Sequence, residues 1–263
     1  MDMELTTADL KQAEAMVVAW DARDPMLIRA FEQEKDVHRI RAVMAFLGYS
    51  NYLLVPPDDL LSQVTVVCPT CSPTGLDKCN HAQRQVAKII GHASAYMMGA
   101  RKMANKVLPE ADVFLPEGEV RRIQSVIISP AIKEWQMRPF SELKASPWLI
   151  NGYGLRREFY GMLDNEMVRE ALSWKAQSTV SCITNQAMRR MHRWCIELSG
   201  KGLEYCRVVT QTHDALTISH PARHRDAIYK MLEKAFHHEL VYHGRPLVIP
   251  IECGSGPNWR ATH

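Results

Sequence analysis

Three groups of residues in this chain have types and spacings that could do chemistry. Asp9 falls where a short β-tolerant run gives way to a helical pattern. Asp214 falls between two Val/Thr/Ile-rich runs, the place of a hairpin tip. A carboxylate at a strand end can ligate a hard cation, which wants oxygen donors, but taken singly such an aspartate is more commonly a helix cap or turn residue. Arg84, Lys88, His92 and Tyr96 recur at every fourth position. That interval keeps them near one face of a helix, so two cations and two rings can meet one ligand together; an isolated Arg-x3-Lys would be a solvated face. Finally, Cys68, Cys71, Cys79 and His81 form C-x2-C-x7-C-x-H. Thiolates and an imidazole at this spacing suit a structural, tetrahedral Zn²⁺ site, yet short cysteine-rich loops also occur without metal, and both readings stand.

The elements that must position these groups can be read from periodicity. Residues 3 to 8 suit a strand. Ala13, Val17 and Val18, then Leu27, Ile28 and Phe31, recur at helical spacing on either side of the Asp24-Pro25 turn. Pro56-Pro57 to His81 has no sustained period and reads as a loop or insertion, followed by one strong helix from Ala82 to Val107. Pro109, Pro116, Pro130, Pro139, Pro147 and Gly152 punctuate residues 109 to 165 and suggest short helices and turns. A long helix from about Asn165 should stop at Gly200 and Gly202. Tyr205–Thr212 and Ala215–Ser219 form the expected hairpin, with a helix from Pro221 to His238 and a last strand from Pro246 to Cys253 completing the pattern. Cys182, Cys195, Cys206 and Cys253 fall on apolar faces and read as core.

Three of these segments, in order, carry a resemblance. Asp9-Leu10-Lys11-Gln12-Ala13-Glu14, then Asp24 to Phe31 and Asp36-Val37-His38, resemble motif A of family A DNA polymerases (the bacterial DNA polymerase I type), whose pattern is D-Y-S-Q-x-E, an acid-rich turn, L-I-x-x-F and D-I-H. Arg84 to Tyr96 resembles motif B, the fingers helix, and Gln211-Thr212-His213-Asp214 resembles motif C. Pro246 to Trp259 is similar to the family's C-terminal strand. Gly154-Leu155-Arg156-Arg157, Arg169 and Gln177 fall where the family has its G-R-R-R segment and the Arg and Gln that face the duplex. The resemblance runs from about residue 3 to residue 259, interrupted near 50 to 82. It departs from the pattern at Leu10 and Lys11 (Tyr and Ser in the family), Met16 (Arg), His92-Ala93 (an aromatic and Gly) and Ala215 (Glu).

The resemblance implies template-directed DNA synthesis, in which a primer 3′-hydroxyl attacks an α-phosphorus and pyrophosphate leaves. Asp9 and Asp214, with the Leu10 carbonyl, would hold two Mg²⁺ ions. Arg84, Lys88 and His38 would hold the triphosphate; Gln12 would also lie at the nucleotide site, and Tyr96 would stack at the templating position. Glu14 would crowd the 2′ position and so favour deoxynucleotides over the ribonucleotides of a single-subunit RNA polymerase, the runner-up. His92, an imidazole where the family has Phe or Tyr, would alter sugar discrimination. Arg156, Arg169, Gln177 and His213 would face primer–template DNA.

The implied fold is α+β, a palm with a small antiparallel sheet and a mostly helical fingers subdomain: palm at 1–23, fingers at 24–165 with the Cys/His insertion at about 50–82 and motif B at 84–99, and palm again at 166–263. Hydrophobic content of 46% over 263 residues is enough to bury a substantial core. A net charge of +3 does not by itself announce a nucleic-acid binder, so any basic surface must be local. No run approaches the roughly 20 apolar residues of a membrane span, and the first residues do not resemble a signal peptide; a cytoplasmic protein is expected, in the host cytoplasm if phage-encoded. Only eight residues precede Asp9, so counterparts of the thumb and exonuclease regions are not seen. The expectation is a split or truncated polymerase of a kind that would suit a bacteriophage, served by a companion polypeptide carrying thumb and 3′–5′ exonuclease. The rival readings are an engineered or partial fragment, and a non-catalytic nucleic-acid-binding remnant.

Overall fold

The computed structural model describes residues 2–64, 83–198 with the backbone of 199–200, and 205–262. Cys68, Cys71, Cys79 and His81, and with them the zinc reading, lie outside the described residues. In chain order the first elements are β1 (Met3–Leu10), α1 (Ala13–Ala22), α2 (Pro25–Glu32), α3 (Val37–Leu47), α4 (Asp58–Ser62), α5 (Gln83–Ala95), α6 (Ala100–Ala111), α7 (Glu117–Ile127) and α8 (Pro130–Ala145). There follow β2 (Trp148–Ile150), β3 (Arg156–Glu158), α9 (Asn165–Gly200), β4 (Arg207–Thr212), β5 (Ala215–Pro221), α10 (Arg225–Phe236), β6 (Leu240–Tyr242), β7 (Arg245–Leu247) and β8 (Ile251–Gly256). The class is α+β. Two compact units share these elements, one formed by residues 1–17, 148–158 and 174–263, the other by 18–147 and 159–173. Among the described residues no helix is long and apolar enough to cross a membrane.

The first unit is built on an antiparallel sheet in the order β4-β5-β1-β8. Ala8, Leu216 and Ile218 on its strands and Ile228, Leu232 and Phe236 on α10 are buried. The sheet also holds a buried polar row that its hydroxyls satisfy among themselves. Thr6 Oγ1 lies 2.7 Å from His220 Nε2 and 2.6 Å from Ser255 Oγ, while Thr7 Oγ1 lies 2.9 Å from Thr217 Oγ1. Such pairing removes the desolvation cost that unpartnered hydroxyls would carry. Segment 148–158 is pinned to α9 through Asn151, whose Nδ2 donates to Ser178 Oγ at 2.8 Å while its Oδ1 accepts from the Tyr153 and Leu155 amides. Gly152 donates its amide to Thr179 Oγ1 at 3.0 Å, and a Cβ there would fall 1.8 Å from the Tyr242 hydroxyl, so only glycine fits this approach.

The second unit is helical, with Ile40, Met44, Ile90, Met103, Ile123 and Trp135 fully buried. Its helices start where short acceptors precede them. Asp24 caps α2 by accepting from the Leu27 amide at 2.9 Å, and Pro25 fits the first helical position, which has no intrahelical use for an N–H. Ser129 caps α8 by accepting from the Ile132 amide, and its hydroxyl donates to Asp24 Oδ2 at 2.5 Å, so two helix starts share one buried contact. Trp135 Nε1 donates to Asp21 Oδ2 at 2.7 Å.

Several element boundaries differ from the sequence expectation. The single helix expected from 82 to 107 is two, α5 and α6, because Met97 takes a left-handed φ of 58° and Gly99 starts the next helix. The prolines between 109 and 147 do not enforce short helices: Pro130 opens the 16-residue α8, and Pro109 and Pro139 lie inside α6 and α8. The last strand is divided into β7 and β8 around Pro250, and β6 pairs with β7 as a separate hairpin. The helix expected from Pro221 begins at Arg225 after a short 3-10 turn.

Candidate active site

The sheet unit brings one aspartate onto a strand and the other into the turn before the neighbouring strand. Asp9 is the penultimate residue of β1, where its Cα partners are Ala215 on β5 and Glu252 on β8. Asp214 immediately precedes Ala215 in the two-residue turn between β4 and β5, a turn made by His213 at a left-handed φ of 52°. The link is direct, since the Leu10 amide donates to the Asp214 carbonyl at 3.3 Å. Asp9 is exposed and Asp214 half-exposed, whereas the Leu10 side chain is buried beneath them. Gln12, two residues past the end of β1, also has a left-handed φ, 51°, and its buried Oε1 has no hydrogen-bond partner among the described residues.

A cavity of about 570 Å³ opens in this unit, lined by Glu14 from α1, Gln177, Val180 and Ser181 from α9, and His213 and Asp214 from the turn. Four of the residues singled out in the sequence therefore share one wall. Arg156 lies on β3 of the same unit; its guanidinium pairs with Glu158 Oε1 at 2.7 Å and sits 4.7 Å from the centre of the Trp148 ring. Oxygen donors from Asp9, Asp214 and the Leu10 backbone suit a magnesium-sized cation, which commonly takes one or two carboxylates and completes its shell with water and substrate phosphate. Among the described residues no group of three or more His, Cys, Asp and Glu forms a metal cage.

In the helical unit α5 presents Arg84, Lys88, His92 and Tyr96 in successive turns or just past its end, with Lys88 and His92 exposed. The His92 and Tyr96 rings meet edge to face, centroids 5.4 Å apart. Arg84 is held by Asp36: Arg84 Nε donates to Asp36 Oδ2 at 2.6 Å. The other oxygen of the same carboxylate caps α3, accepting from the His38 and Arg39 amides at 2.9 and 3.3 Å. Burial pushes the Asp36 carboxyl up, but the hydrogen bond and charge of Arg84 outweigh it, leaving Asp36 below the usual carboxylate range. His38 is 7% exposed; burial first, then the positive charge of Arg41, holds it down to about 3, so it is a neutral imidazole at neutral pH. Arg169 is exposed on the part of α9 that belongs to this unit.

Three contributors were not singled out by the sequence pattern. In the sequence Asp36 is only the first residue of D-x-H, with no sign that it clamps Arg84 from 48 positions away. Arg41 lies 5% exposed against α5, with its Cδ 2.6 Å from where a Cβ on Gly91 would stand. Glu252 sits beside Asp9 in register and pairs with Lys11 at 2.9 Å. Lys11 directly follows β1 and Glu252 lies on the adjacent β8, a pairing visible only once the register of β1 and β8 is known.

This chain is similar to DNA polymerase I of Deinococcus radiodurans, 25% identical over 266 residues that cover 98% of the chain and 24% of that protein. It is likewise similar to the thermostable DNA polymerase I of Thermus aquaticus, 24% identical over 97% of the chain and 27% of the relative. The chain thus spans about a quarter of the length of these relatives. Its fold matches the polymerase domain of Pol1 from M. smegmatis, a structure in complex with DNA primer–template and dNTP, with a TM-score of 0.71 and 20% identity over 98% of the chain and 40% of the other. No protein-family model matches the chain.

Proposed function

We propose that this chain, which carries a family A polymerase-type domain, performs the nucleotidyl-transfer step of template-directed DNA synthesis. The observation that carries the reading is the register of the sheet. Asp9, near the end of β1, and Asp214, in the turn that leads into the adjoining β5, come from distant parts of the sequence and are joined by the Leu10-to-Asp214 backbone bond, and Asp214 lines the cavity.

Each unit has its own part in this proposal. In the sheet unit Asp9 and Asp214, with the Leu10 carbonyl, are the donors for two Mg²⁺ ions. When bound, such ions lower the barrier by stabilising charge on the attacking and leaving oxygens of the phosphoryl transfer. His213, Gln177 and Arg156 belong to the same unit and are assigned to primer–template DNA, as is Arg169 of the helical unit. Glu14, on the cavity wall with Asp214, is assigned to excluding a 2′-hydroxyl. In the helical unit Arg84 and Lys88 supply cationic donors for a triphosphate, and Gln12 of the sheet unit remains a nucleotide-site residue. His38, being neutral, would take part as a hydrogen-bonding group rather than as a third cation. His92 and Tyr96 offer ring faces and edges to sugar and base.

Extension of a labelled primer–template with dNTPs and Mg²⁺, with and without a companion chain carrying thumb and exonuclease regions, tests the reading. Extension in either arm supports it, and none in both arms refutes it. Sugar choice separates DNA from RNA synthesis. Glu14→Gly should raise ribonucleotide incorporation relative to deoxynucleotide by roughly tenfold or more, the effect of about 1.4 kcal/mol of lost discrimination. An unchanged ratio would contradict the role given to Glu14.

A further inference from the structure

The polymerase reading leaves one cluster of reactive side chains unused. Cys195, in the last turns of α9, and Cys206, one residue before β4, bring their sulfurs to 3.4 Å within the sheet unit. Both are buried. We propose that Cys195 and Cys206 form a modification site, closing a reversible disulfide when the protein meets a small two-electron oxidant of the peroxide class.

The geometry favours this pair over the other described thiols. A disulfide bond is about 2.05 Å long, so the sulfurs need approach by only about 1.4 Å, within the reach of side-chain rotation. The site has an approach route, because Cys206 lines a cavity of about 230 Å³ with Trp194, Leu198, His220, His224 and Ile228. A hydrogen peroxide molecule is little larger than water, whose share of liquid volume is about 30 Å³, and fits easily. The S–H to S contact also holds the Cys195 thiol below its ordinary value and pushes the Cys206 thiol above its own, so Cys195 is the sulfur that supplies the thiolate. By contrast, burial pushes Cys253 up to about 11, and the Cys182 sulfur has Asn151 Nδ2 rather than a second thiol as its neighbour, at 3.9 Å.

The chemistry balances with peroxide as the sole co-reactant. The Cys195 sulfur attacks a peroxide oxygen as thiolate; an S–O bond forms, the O–O bond breaks, and the departing hydroxide takes a proton to become water. The partner sulfur then attacks the sulfenic sulfur; the S–S bond forms, the S–O bond breaks, and the second water leaves. Two thiols are oxidised by two electrons in all and one peroxide is reduced to two waters. The product staples the end of α9 to the start of the strand that leads to His213 and Asp214.

The test uses the full chain, reduced, desalted and exposed to about one equivalent of hydrogen peroxide, natively and in concentrated urea, then capped with N-ethylmaleimide, digested with trypsin and weighed. The native sample should yield peptides 194–201 and 202–207 joined, lighter by two hydrogens than the separate pair, and free again after dithiothreitol. The urea sample should spread its disulfides over many pairs. Cys182→Ser should leave the native cross-link unchanged, whereas Cys206→Ser should abolish it. Recovery of both cysteines as alkylated thiols or as sulfinic acids, or a native product mixture equal to that in urea, would overturn the proposal.

Discussion

At the scale of single residues, His38 and Asp36 set the electrostatics around Arg84. His38 is neutral when folded, with its proton affinity held down to about 3 by burial and by Arg41, whereas an unfolded histidine titrates near 6.5. The unfolded chain therefore binds a proton here that the folded chain does not, so stability from this group is complete above about pH 6.5 and is lost as pH falls from there toward 3. His38→Gln should flatten that part of the stability profile measured by urea unfolding at stepped pH; parallel profiles for variant and wild type would contradict the assignment. Asp36 works twice, with one oxygen on the α3 amides and the other on Arg84. Asparagine can keep the cap and lose the charge. Asp36→Asn should accordingly destabilise by on the order of 1 kcal/mol, the worth of a partly exposed charge-assisted hydrogen bond, while leaving the α3 cap in place. A midpoint of thermal unfolding equal to that of wild type would show that Asp36 does not hold Arg84.

At the scale of elements, α5 and α3 are packed through a position where the ordinary rule of helix propensity reverses. Alanine favours a helix over glycine by roughly 1 kcal/mol. A methyl group on Gly91 would nevertheless stand 2.6 Å from Arg41 Cδ and 2.9 Å from one of its guanidinium nitrogens. Arg41 is buried and cannot swing clear into solvent, so Gly91→Ala should destabilise by about 1 to 3 kcal/mol, the usual cost of overpacking. A stabilised variant in chemical denaturation would show that Arg41 yields. This scale also shows what the sequence could and could not convey. The hairpin tip at His213-Asp214 and the strand that leads to Asp9 were legible, because runs rich in Val, Thr and Ile and a two-residue polar turn are local signals. The break after α5 was not, since Met97 has no residue-type preference for the left-handed conformation it adopts. Pro139 misled in the opposite direction, for its place inside α8 is tolerated by a helix anchored at Ser129, Trp135 and Asp21.

At the scale of the molecule, the two units divide the candidate machinery: a sheet that joins distant acidic residues, and a helical body whose α5 carries the cationic face. The α+β class and the order of the segments could be read from the sequence because each motif is a compact pattern on one element. The contacts that complete them could not, because Asp36 with Arg84, Asp9 beside Glu252, and Cys195 with Cys206 all depend on which elements pack together. The central claim is that Asp9 and Asp214 are the carboxylates of nucleotidyl transfer. The most direct measurement is the single-turnover rate of one dNTP added to a bound primer–template in Mg²⁺, for wild type, Asp9→Ala and Asp214→Ala, with DNA binding measured in parallel. Each substitution should slow addition by roughly a thousandfold or more, as expected when a metal-borne charge-stabilising group is lost, with DNA affinity changed far less. Addition by either variant at the wild-type rate would contradict the account.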